Sequence, residues 1–406
     1  MKMNLITQIF IAFLLAIILG IIFNESISVI APLGDLFLRL IKFIIAPLIL
    51  STLVVGVSST GDPKQLGRIG LKTISYYLLT TAVAIIIGLG VAFLLSPGKG
   101  VDVSVSDDTA EVADQQQQSV VDTFLNIIPE NPFDALASGN ILQIIFFALF
   151  IGLAITFVGE KAQPVYRFFD AFAEVMYKIT AIIMYVAPIG ILGLVAPVIG
   201  EYGLSVLLPL LKVILAAVIA CILHAVLVYS SAVKIYGKIS PLSFFKGISP
   251  AALVAFSTAS SAGTLPVTLK NTQENLCVPN KISSFVLPLG ATINMDGTAI
   301  YQGTAVVFIA QFYGLDLSFI QLLTVVVTTV LASIGTAGVP GAGLIMLTMV
   351  LSSVNMPVEG IALIAGVDRI LDMFRTTLNV VGDASATVVV AGSEKELRVD
   401  EPLKDS

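Results

Sequence analysis

The sequence has few charged residues for its length. Lys, Arg, Asp and Glu together make up 12% of the 406 residues, whereas 57% are hydrophobic. The mean hydropathy is +0.99. So few polar side chains cannot cover the surface of a water-soluble fold, and nothing in the sequence is basic enough to bind nucleic acid. The composition predicts a polytopic membrane protein in contact with lipid and without a nucleic acid partner.

Cysteine and histidine are also scarce. The chain has two cysteines, Cys221 and Cys277, and one histidine, His224. Two cysteines in or next to a hydrophobic segment do not predict a disulfide framework. The SSAGT motif could supply a serine nucleophile, but His224 is the only histidine available as its base, so we do not expect an enzyme. We expect His224 to be a buried, neutral, hydrogen-bonded side chain rather than a proton relay.

Apolar runs separated by short polar breaks predict eight membrane-spanning helices, because each run approaches or exceeds the roughly 20 residues that a bilayer requires. The first run begins close to the N-terminus and has no cleavage motif followed by polar sequence, so we interpret it as a helix rather than a signal peptide. The predicted spans are 5–23, 29–56, 72–95, 141–158, 173–199, 204–236, 283–310 and 360–390.

Lysine and arginine residues are concentrated in every second connection between the predicted spans, and this pattern predicts the orientation of the chain in the membrane. They predict that both termini face the cytoplasm, including the tail 392–406. The polar segment 97–140 has one lysine against several acidic residues and a QQQQ run, so we expect it to be an external loop.

Two apolar stretches, 241–275 and 317–355, are interrupted in the middle by FSTASSAGTLP and SIGTAGVPGAG. Their halves of about 10 to 17 residues are too short to cross a bilayer, which predicts two re-entrant helical hairpins. The loop charges give the two hairpins opposite orientations, as in transporters with inverted repeats. The alternative is two ordinary helices kinked at Pro266 and Pro340.

The stretch 367–390 combines a spanning length with ionisable groups. At about 100° per residue its polar side chains fall within one arc of about 100°. Charged groups in a membrane helix cost about 2.5–3.5 kcal/mol each, so this stripe should face a protein interior that supplies partners. We interpret it as the wall of a binding site for a charged ligand; the alternative is a purely structural ion-pair network. The stripe consists of Asp368, Asp372, Arg375, Thr376, Asn379 and Asp383.

The NMDGT motif at 294–298 lies in the middle of the seventh predicted span. Asn and Asp beside Gly predict an unwound turn, which survives at this depth only where it lines a cavity. Oxygen ligands without Cys or His favour a hard cation over a transition metal. The core elements contain four aspartates and, in our count, one arginine, Arg375. If all are ionised, this leaves an excess of about three negative charges, which cations or protons must balance. The four are Asp296, Asp368, Asp372 and Asp383.

These motifs resemble those of the dicarboxylate/amino acid:cation symporters, the glutamate transporter homologues. The resemblance covers nearly the whole chain, including YYLLTTA, SSAGTLPVT, NMDGT, GTAGVPGAG and DMFRTTLNVVGD. It implies an all-α polytopic membrane fold with eight transmembrane helices and two re-entrant hairpins, assembled as a homotrimer. It also implies a trimerisation scaffold (1–70 and 141–200) and a transport domain (71–96 and 204–391) that moves as an elevator.

The resemblance also implies roles for individual residues. Arg375 would pair with the substrate's side-chain carboxylate and Asp372 with its amino group. The further substrate contacts implied are Ser261, Thr298, Val339, Gly343, Thr376 and Asn379. The implied cation ligands are Gly290, Asn294, Asn379 and Asp383 at one site, carbonyls of Thr292, Ser333, Ile334 and Thr336 at a second, and Tyr77, Thr80, Thr81, Asn294 and Asp296 at a third.

One departure from the family pattern concerns a further arginine. Amino-acid transporters of this family usually carry it at the first hairpin tip or directly after the amine-binding aspartate, where this chain has Ala259 and Met373. From the resemblance as a whole we expect a symporter for aspartate or glutamate, driven by Na⁺ or by H⁺, in the cell membrane of a prokaryote. A C4-dicarboxylate symporter and an ion channel remain alternatives, although the resemblance implies that Asp372 favours a substrate with an amino group.

Overall fold

The computed structural model describes residues 5–58, 67–99, 125, 128–333 and 342–397. Within these residues the secondary structure is helical, without strands. The helices of eight or more residues in the first half of the chain are α1 (Leu5–Phe23), α2 (Ala31–Ser58), α3 (Gly67–Leu95), α5 (Ile141–Val158), α6 (Gln163–Tyr202) and α7 (Leu207–His224); the short α4 is Pro132–Ser138. Most of the predicted external loop lies outside the described residues.

The second half of the chain contains shorter and more frequently interrupted helices. They are α8 (Ser230–Ile235), α9 (Pro241–Thr258), α10 (Ser261–Glu274), α11 (Asn280–Ile293), α12 (Asp296–Phe312), α13 (Phe319–Ser333), α14 (Ala342–Ser353), α15 (Ile361–Ala365) and α16 (Asp368–Ser393). This half therefore carries most of the backbone irregularities that a membrane protein tolerates only around protein-lined cavities.

In the part of the chain that the structure describes, four helical stretches are long and apolar enough to cross a membrane. They are Thr7–Phe37, Arg68–Leu95, Gln143–Ile179 and Leu207–Ile235. The fifth predicted span begins earlier than expected, because α6 is one helix of 40 residues from Gln163. The second begins later, because Asn24–Ile30 forms a 3-10 turn before α2.

Helices α1 and α2 both pack closely along α6, and α2 also packs on α5. Small residues permit this approach: a Cβ atom on Gly193 of α6 would lie 2.5 Å from the backbone nitrogen of Gly34 on α2. Close backbone contact of this kind is typical of helix pairs in membranes. A second group forms around α12, which packs on α3, α7, α14 and α16.

The first interrupted stretch is a pair of antiparallel helices. The backbone nitrogen of Ala251 donates to Oδ1 of Asn271 over 3.0 Å, and Nδ2 of Asn275 donates to the Gly247 carbonyl over 2.8 Å. The chain reverses at Ala259, whose φ of 49° is left-handed. Pro266 lies inside α10. The stretch is therefore two helices joined by a tight turn and not one helix kinked at Pro266.

The second interrupted stretch has α13 and α14 as its two arms. Nε2 of Gln321 donates to the Val354 carbonyl over 3.2 Å, which joins the beginning of one arm to the end of the other. The segment between them, 334–341, lies outside the described residues. The predicted ligands Ile334, Thr336 and Val339 fall in that segment, as does Pro340.

Three further irregularities interrupt the remaining segments. The seventh predicted span is divided between α11 and α12 at Asn294 and Met295, where an unwound turn was predicted. The eighth is divided between α15 and α16. The sixth contains a π-helical turn, Ala225–Tyr229, that the sequence pattern did not predict.

Candidate substrate and cation site

The polar stripe of α16 is buried, as its amphipathic pattern predicts. Each of its members is at most 6% exposed, and α10, α11 and α12 cover the helix. The buried members are Asp368, Asp372, Arg375, Thr376, Asn379 and Asp383. Because ionisable groups at such depth need partners, their contacts define what the site can bind.

Arg375 is held along one edge of its guanidinium. Its Nε donates to Oδ1 of Asp372 over 2.9 Å, and its Nη1 lies 3.7 Å from Oδ1 of Asp368. The guanidinium carbon lies 5.1 Å from the ring centroid of Tyr301, a cation–π contact. Nη1 is buried and has no hydrogen-bond partner. An arginine fixed on one edge with unused donors on another is suited to binding a ligand carboxylate.

Gly343, at the beginning of α14, lies directly against this guanidinium. A Cβ atom at position 343 would overlap the Nη1 atom of Arg375. Glycine is therefore required here by space, since the residue at 343 has no positive φ. The contact places the second arm of the second interrupted stretch beside the predicted carboxylate-binding group.

Asp372 is the centre of a small network on α16. Its Oδ1 accepts from Arg375 and, over 3.0 Å, from Thr376 Oγ1. Its Oδ2 lies 3.9 Å from Nη1 of Arg369. The carboxylate is thus oriented by three side chains of its own helix, in a position to accept from an ammonium group near Arg375.

The break between α11 and α12 places the side chain of Asn294 against α16. Nδ2 of Asn294 donates to Oδ1 of Asp383 over 2.9 Å and to the Asn379 carbonyl over 3.0 Å. Oδ1 of Asn294 is buried and has no hydrogen-bond partner. A Cβ atom on Gly290 would overlap the Tyr77 hydroxyl and meet Asp383 Oδ1.

These groups form a compact set of possible oxygen ligands, one of which is a carboxylate. Within the described residues, no three His, Cys, Asp or Glu side chains are grouped so that they could hold a metal ion. A site made from one carboxylate with amide, hydroxyl and carbonyl oxygens suits a hard monovalent cation better than a transition metal. It agrees with the ligand chemistry expected from the NMDGT motif.

The second aspartate of the region, Asp296, begins α12 and is completely buried. Its Oδ1 accepts from Thr81 Oγ1 over 2.6 Å. Its Oδ2 accepts from the Tyr229 hydroxyl over 2.7 Å and lies 3.1 Å from Nε2 of His224. His224 is thus buried and hydrogen-bonded, and its partner is a predicted cation ligand.

The π-helical turn explains how His224 and Tyr229 meet at one oxygen. Residues five apart are about 140° apart around an α-helix but nearly on the same face of a π-turn, which has i to i+5 hydrogen bonds. The two rings here are 4.8 Å apart in an edge-to-face arrangement. Periodicity at 3.6 residues could not have indicated this pair.

The structure brings together part of the predicted site. Asn379 links the polar stripe of α16 to the beginning of α12. Its Oδ1 accepts a hydrogen bond from the Gly297 nitrogen over 2.7 Å, and its Nδ2 lies 3.4 Å from Thr298 Oγ1. Ser261 is buried at the first position of α10. Two further predicted ligand side chains donate to backbone carbonyls, Thr80 to Tyr77 and Tyr77 to Val286. Thr292 and Ser333 were predicted to bind a cation through their carbonyls, and their hydroxyls donate to the carbonyls of Leu289 and Val330.

The charge count of the sequence analysis was incomplete. Arg369 lies in the first turn of α16, its side chain is 14% exposed, and it faces Asp372. Counting Arg369 with Arg375 against the four aspartates leaves an excess of two negative charges (four minus two) rather than three. Arg369 was missed because it lies about 100° from Asp368, just outside the stripe.

Comparison with known proteins identifies the family. The model of the sodium:dicarboxylate symporter family matches residues 5–393. The chain belongs to the sodium:dicarboxylate symporter family. The matched residues include both groups of helices and the whole of the site. The match confirms the resemblance inferred from the motifs.

Relatives within the sodium:dicarboxylate symporter family align along almost their full lengths. The chain is 40% identical to the proton/sodium-glutamate symport protein of Geobacillus stearothermophilus, over 96% of this chain and 94% of that protein. It is 39% identical to the proton/glutamate-aspartate symporter of Escherichia coli (strain K12), over 96% and 93% respectively. It is 36% identical to the C4-dicarboxylate transport protein of Bacillus subtilis (strain 168), over 97% and 94%.

Proposed function

We propose that this chain is a secondary active symporter that takes up an acidic amino acid, aspartate or glutamate, together with cations, and that it is not an enzyme. The observation that carries the proposal is the pairing of Arg375 with Asp372 over 2.9 Å while the arginine keeps an unused buried donor. The guanidinium binds the substrate's side-chain carboxylate, and the carboxylate of Asp372 binds the substrate's amino group.

The coupling ions are Na⁺, with H⁺ as the alternative. Relatives are named for both ions. Oxygen donors from Asn294, Asn379 and Asp383 support Na⁺, because a hard cation takes such ligands. Binding an anionic substrate adds negative charge to a region that already has an excess of two, so substrate and cation binding should favour each other.

The C4-dicarboxylate alternative shares the fold and Arg375 and differs in the amino group. It is supported by the identity of 36% to a C4-dicarboxylate transport protein. Asp372 argues against this alternative. A plain dicarboxylate has no amino group to donate to the buried Asp372 carboxylate, so the carboxylate would repel that substrate. A channel is less well supported, since an alternating-access site explains an inverted pair of interrupted stretches better than a pore does.

The architecture proposed for the chain has eight spanning helices and two re-entrant hairpins, 241–275 and 317–355. The contacts of α1, α2, α5 and α6 with one another support a trimerisation scaffold in 1–70 and 141–200. Those of α12 with α3, α7, α14 and α16 support a transport domain in 71–96 and 204–391 that moves as an elevator. We propose a homotrimer in the cell membrane of a prokaryote, with both termini in the cytoplasm.

Uptake by the purified protein in liposomes tests the proposal. Labelled aspartate is supplied with an inward Na⁺ gradient, with an inward H⁺ gradient, or with neither. We expect concentrative, saturable uptake that requires a gradient, stronger competition by glutamate than by succinate, and none by serine. Competition by serine but not by glutamate would overturn the role of Arg375, and uptake that never exceeds equilibrium would indicate a channel.

A further inference from the structure

Arg369 is a charged side chain beside the substrate site that is not part of the polar stripe of α16. The residue lies at the second position of α16, next to the polar stripe, and its Nε is buried without a hydrogen-bond partner. A charged side chain that is 14% exposed in a membrane helix needs compensation from its surroundings. Its contacts show where that compensation comes from.

One contact joins Arg369 to the tip of the first interrupted stretch. Its Nη2 lies 3.5 Å from the carbonyl oxygen of Thr258, the last residue of α9. The final carbonyls of a helix have no partner within the helix and carry partial negative charge, so a guanidinium is favourable there. Phe256, two residues before this end, packs edge to face on Phe374 of α16, with the ring centroids 5.2 Å apart.

The other contact joins Arg369 to the carboxylate that we assign to the substrate's amino group. Nη1 of Arg369 lies 3.9 Å from Oδ2 of Asp372, whereas Oδ1 of the same carboxylate is held by Arg375 and Thr376. Arg369 therefore reaches both the end of α9 and Asp372.

We propose that Arg369 is a positioning residue of the substrate site, which orients Asp372 towards the substrate's amino group and holds the tip of α9 against α16. This inference rests on the proposed function. It accounts for Ala259 and Met373, the two positions at which the family pattern leads one to expect an arginine: the positive charge enters from the first turn of α16 instead.

The test compares Arg369→Met with Arg369→Lys and with a matched control, Lys270→Met. Lys270 is exposed and lies 3.9 Å from exposed Glu274 on α10. We expect Arg369→Met to raise KM for aspartate about tenfold, the size typical of losing a hydrogen bond to a charged group, with a smaller change in kcat. The inhibition constant for succinate, which has no amino group, should change little, and Arg369→Lys should fall between wild type and Arg369→Met.

A second measurement does not depend on transport. The chain has no tryptophan, so Phe256→Trp supplies a single fluorescent reporter at the tip of α9. Combined with Arg369→Met, its emission should move to longer wavelength as the tip separates from α16; combined with Lys270→Met, it should not. Adding Met373→Arg to Arg369→Met should restore part of the aspartate affinity.

Two results would overturn the inference. One is an equal change in the constants for aspartate and succinate, which would indicate general disruption. The other is unchanged tryptophan emission together with unchanged aspartate KM. If the wild-type protein takes up no acidic amino acid, the proposed function is wrong, while the emission measurement still decides whether Arg369 holds the tip.

Discussion

The side-chain amide of Asn294, at the break between α11 and α12, donates a hydrogen bond of 2.9 Å to Oδ1 of Asp383 on α16. The same amide donates to the Asn379 carbonyl, which leaves the amide oxygen of Asn294 without a partner in a buried environment. A cation would satisfy that oxygen together with the carboxylate. The pair thus links the interrupted helix to the polar stripe and to the proposed ion.

The first prediction concerns the charge of Asp383. Asp383→Asn keeps the shape but removes the only ionised ligand of this oxygen set. We expect the Na⁺ concentration for half-maximal aspartate uptake to rise by about tenfold or more, because affinity for a hard cation depends on the charge of its ligands. Asp170→Asn, an exposed change on α6, is the control and should leave the Na⁺ dependence unchanged. An unchanged Na⁺ dependence in Asp383→Asn would remove Asp383 from the cation site.

The second prediction uses two glycines that differ in their surroundings. At Gly343 a Cβ would overlap the Arg375 guanidinium, whereas at Gly90, in the last third of α3, a Cβ has nothing within 4 Å. We expect Gly343→Ala to reduce aspartate uptake by at least about tenfold, since misplacing a binding group by about 1 Å has large effects.

Gly90→Ala is the matched control for this prediction. Gly90 lies inside α3, so alanine should leave transport unchanged and stabilise the protein by about 0.4–1 kcal/mol. The measurement is uptake by liposomes that contain equal amounts of protein, together with thermal unfolding in detergent. Equal uptake by Gly343→Ala and Gly90→Ala would contradict the placement of α14 against Arg375.

The third prediction concerns the π-helical turn. Tyr229→Phe removes the donor that lies 2.7 Å from Asp296 Oδ2 and leaves a buried carboxylate with one partner fewer. We expect a loss of about 1–3 kcal/mol in the free energy of unfolding, the cost of an unsatisfied buried acceptor. Thermal unfolding in detergent measures it, with Tyr185→Phe as control because Tyr185 is exposed. A loss no larger than that of the control would mean that Tyr229 does not support Asp296.

The sequence predicted the parts of the site that follow from periodicity and local composition. The stripe from Asp368 to Asp383 is buried because its spacing matches the helical repeat. The break at Asn294 follows from a polar turn motif in an apolar span, and the reversal at Ala259 from halves too short to cross a bilayer. Each of these depends on residues close together in the chain.

The contacts that the sequence did not predict depend on tertiary placement. His224 and Tyr229 meet because the backbone changes its helical repeat between them, and no residue type marks a π-turn. Arg369 joins the site because α9 ends beside it, a contact across 111 positions. The hydroxyl of Thr292 donates to the Leu289 carbonyl one turn earlier, a local bond that serine and threonine commonly make in helices and that the motif did not indicate.

The last prediction concerns the end of α16, outside the proposed membrane region. Glu394 follows the helix and accepts from Lys72 Nζ over 2.6 Å and from Arg68 on α3, which joins the beginning of α3 to the end of α16. The hydrogen bonds from Lys72 and Arg68 lower the pKa of the Glu394 carboxyl below its ordinary value of 4.5. Since the folded protein favours the ionised form, this contribution to stability is present above the unfolded pKa and is lost as the pH falls through the folded one.

Glu394→Gln removes the charge and keeps the side-chain length. Because Arg68 is exposed, we expect a small loss at neutral pH, less than about 1 kcal/mol, that shrinks with added salt. The difference from wild type should disappear as the pH falls below about 4.5 in thermal unfolding measurements. Glu396→Gln, two residues further along and exposed, is the control. A difference that persists unchanged at acidic pH would show that Glu394 stabilises the end of α16 by packing rather than by its charge.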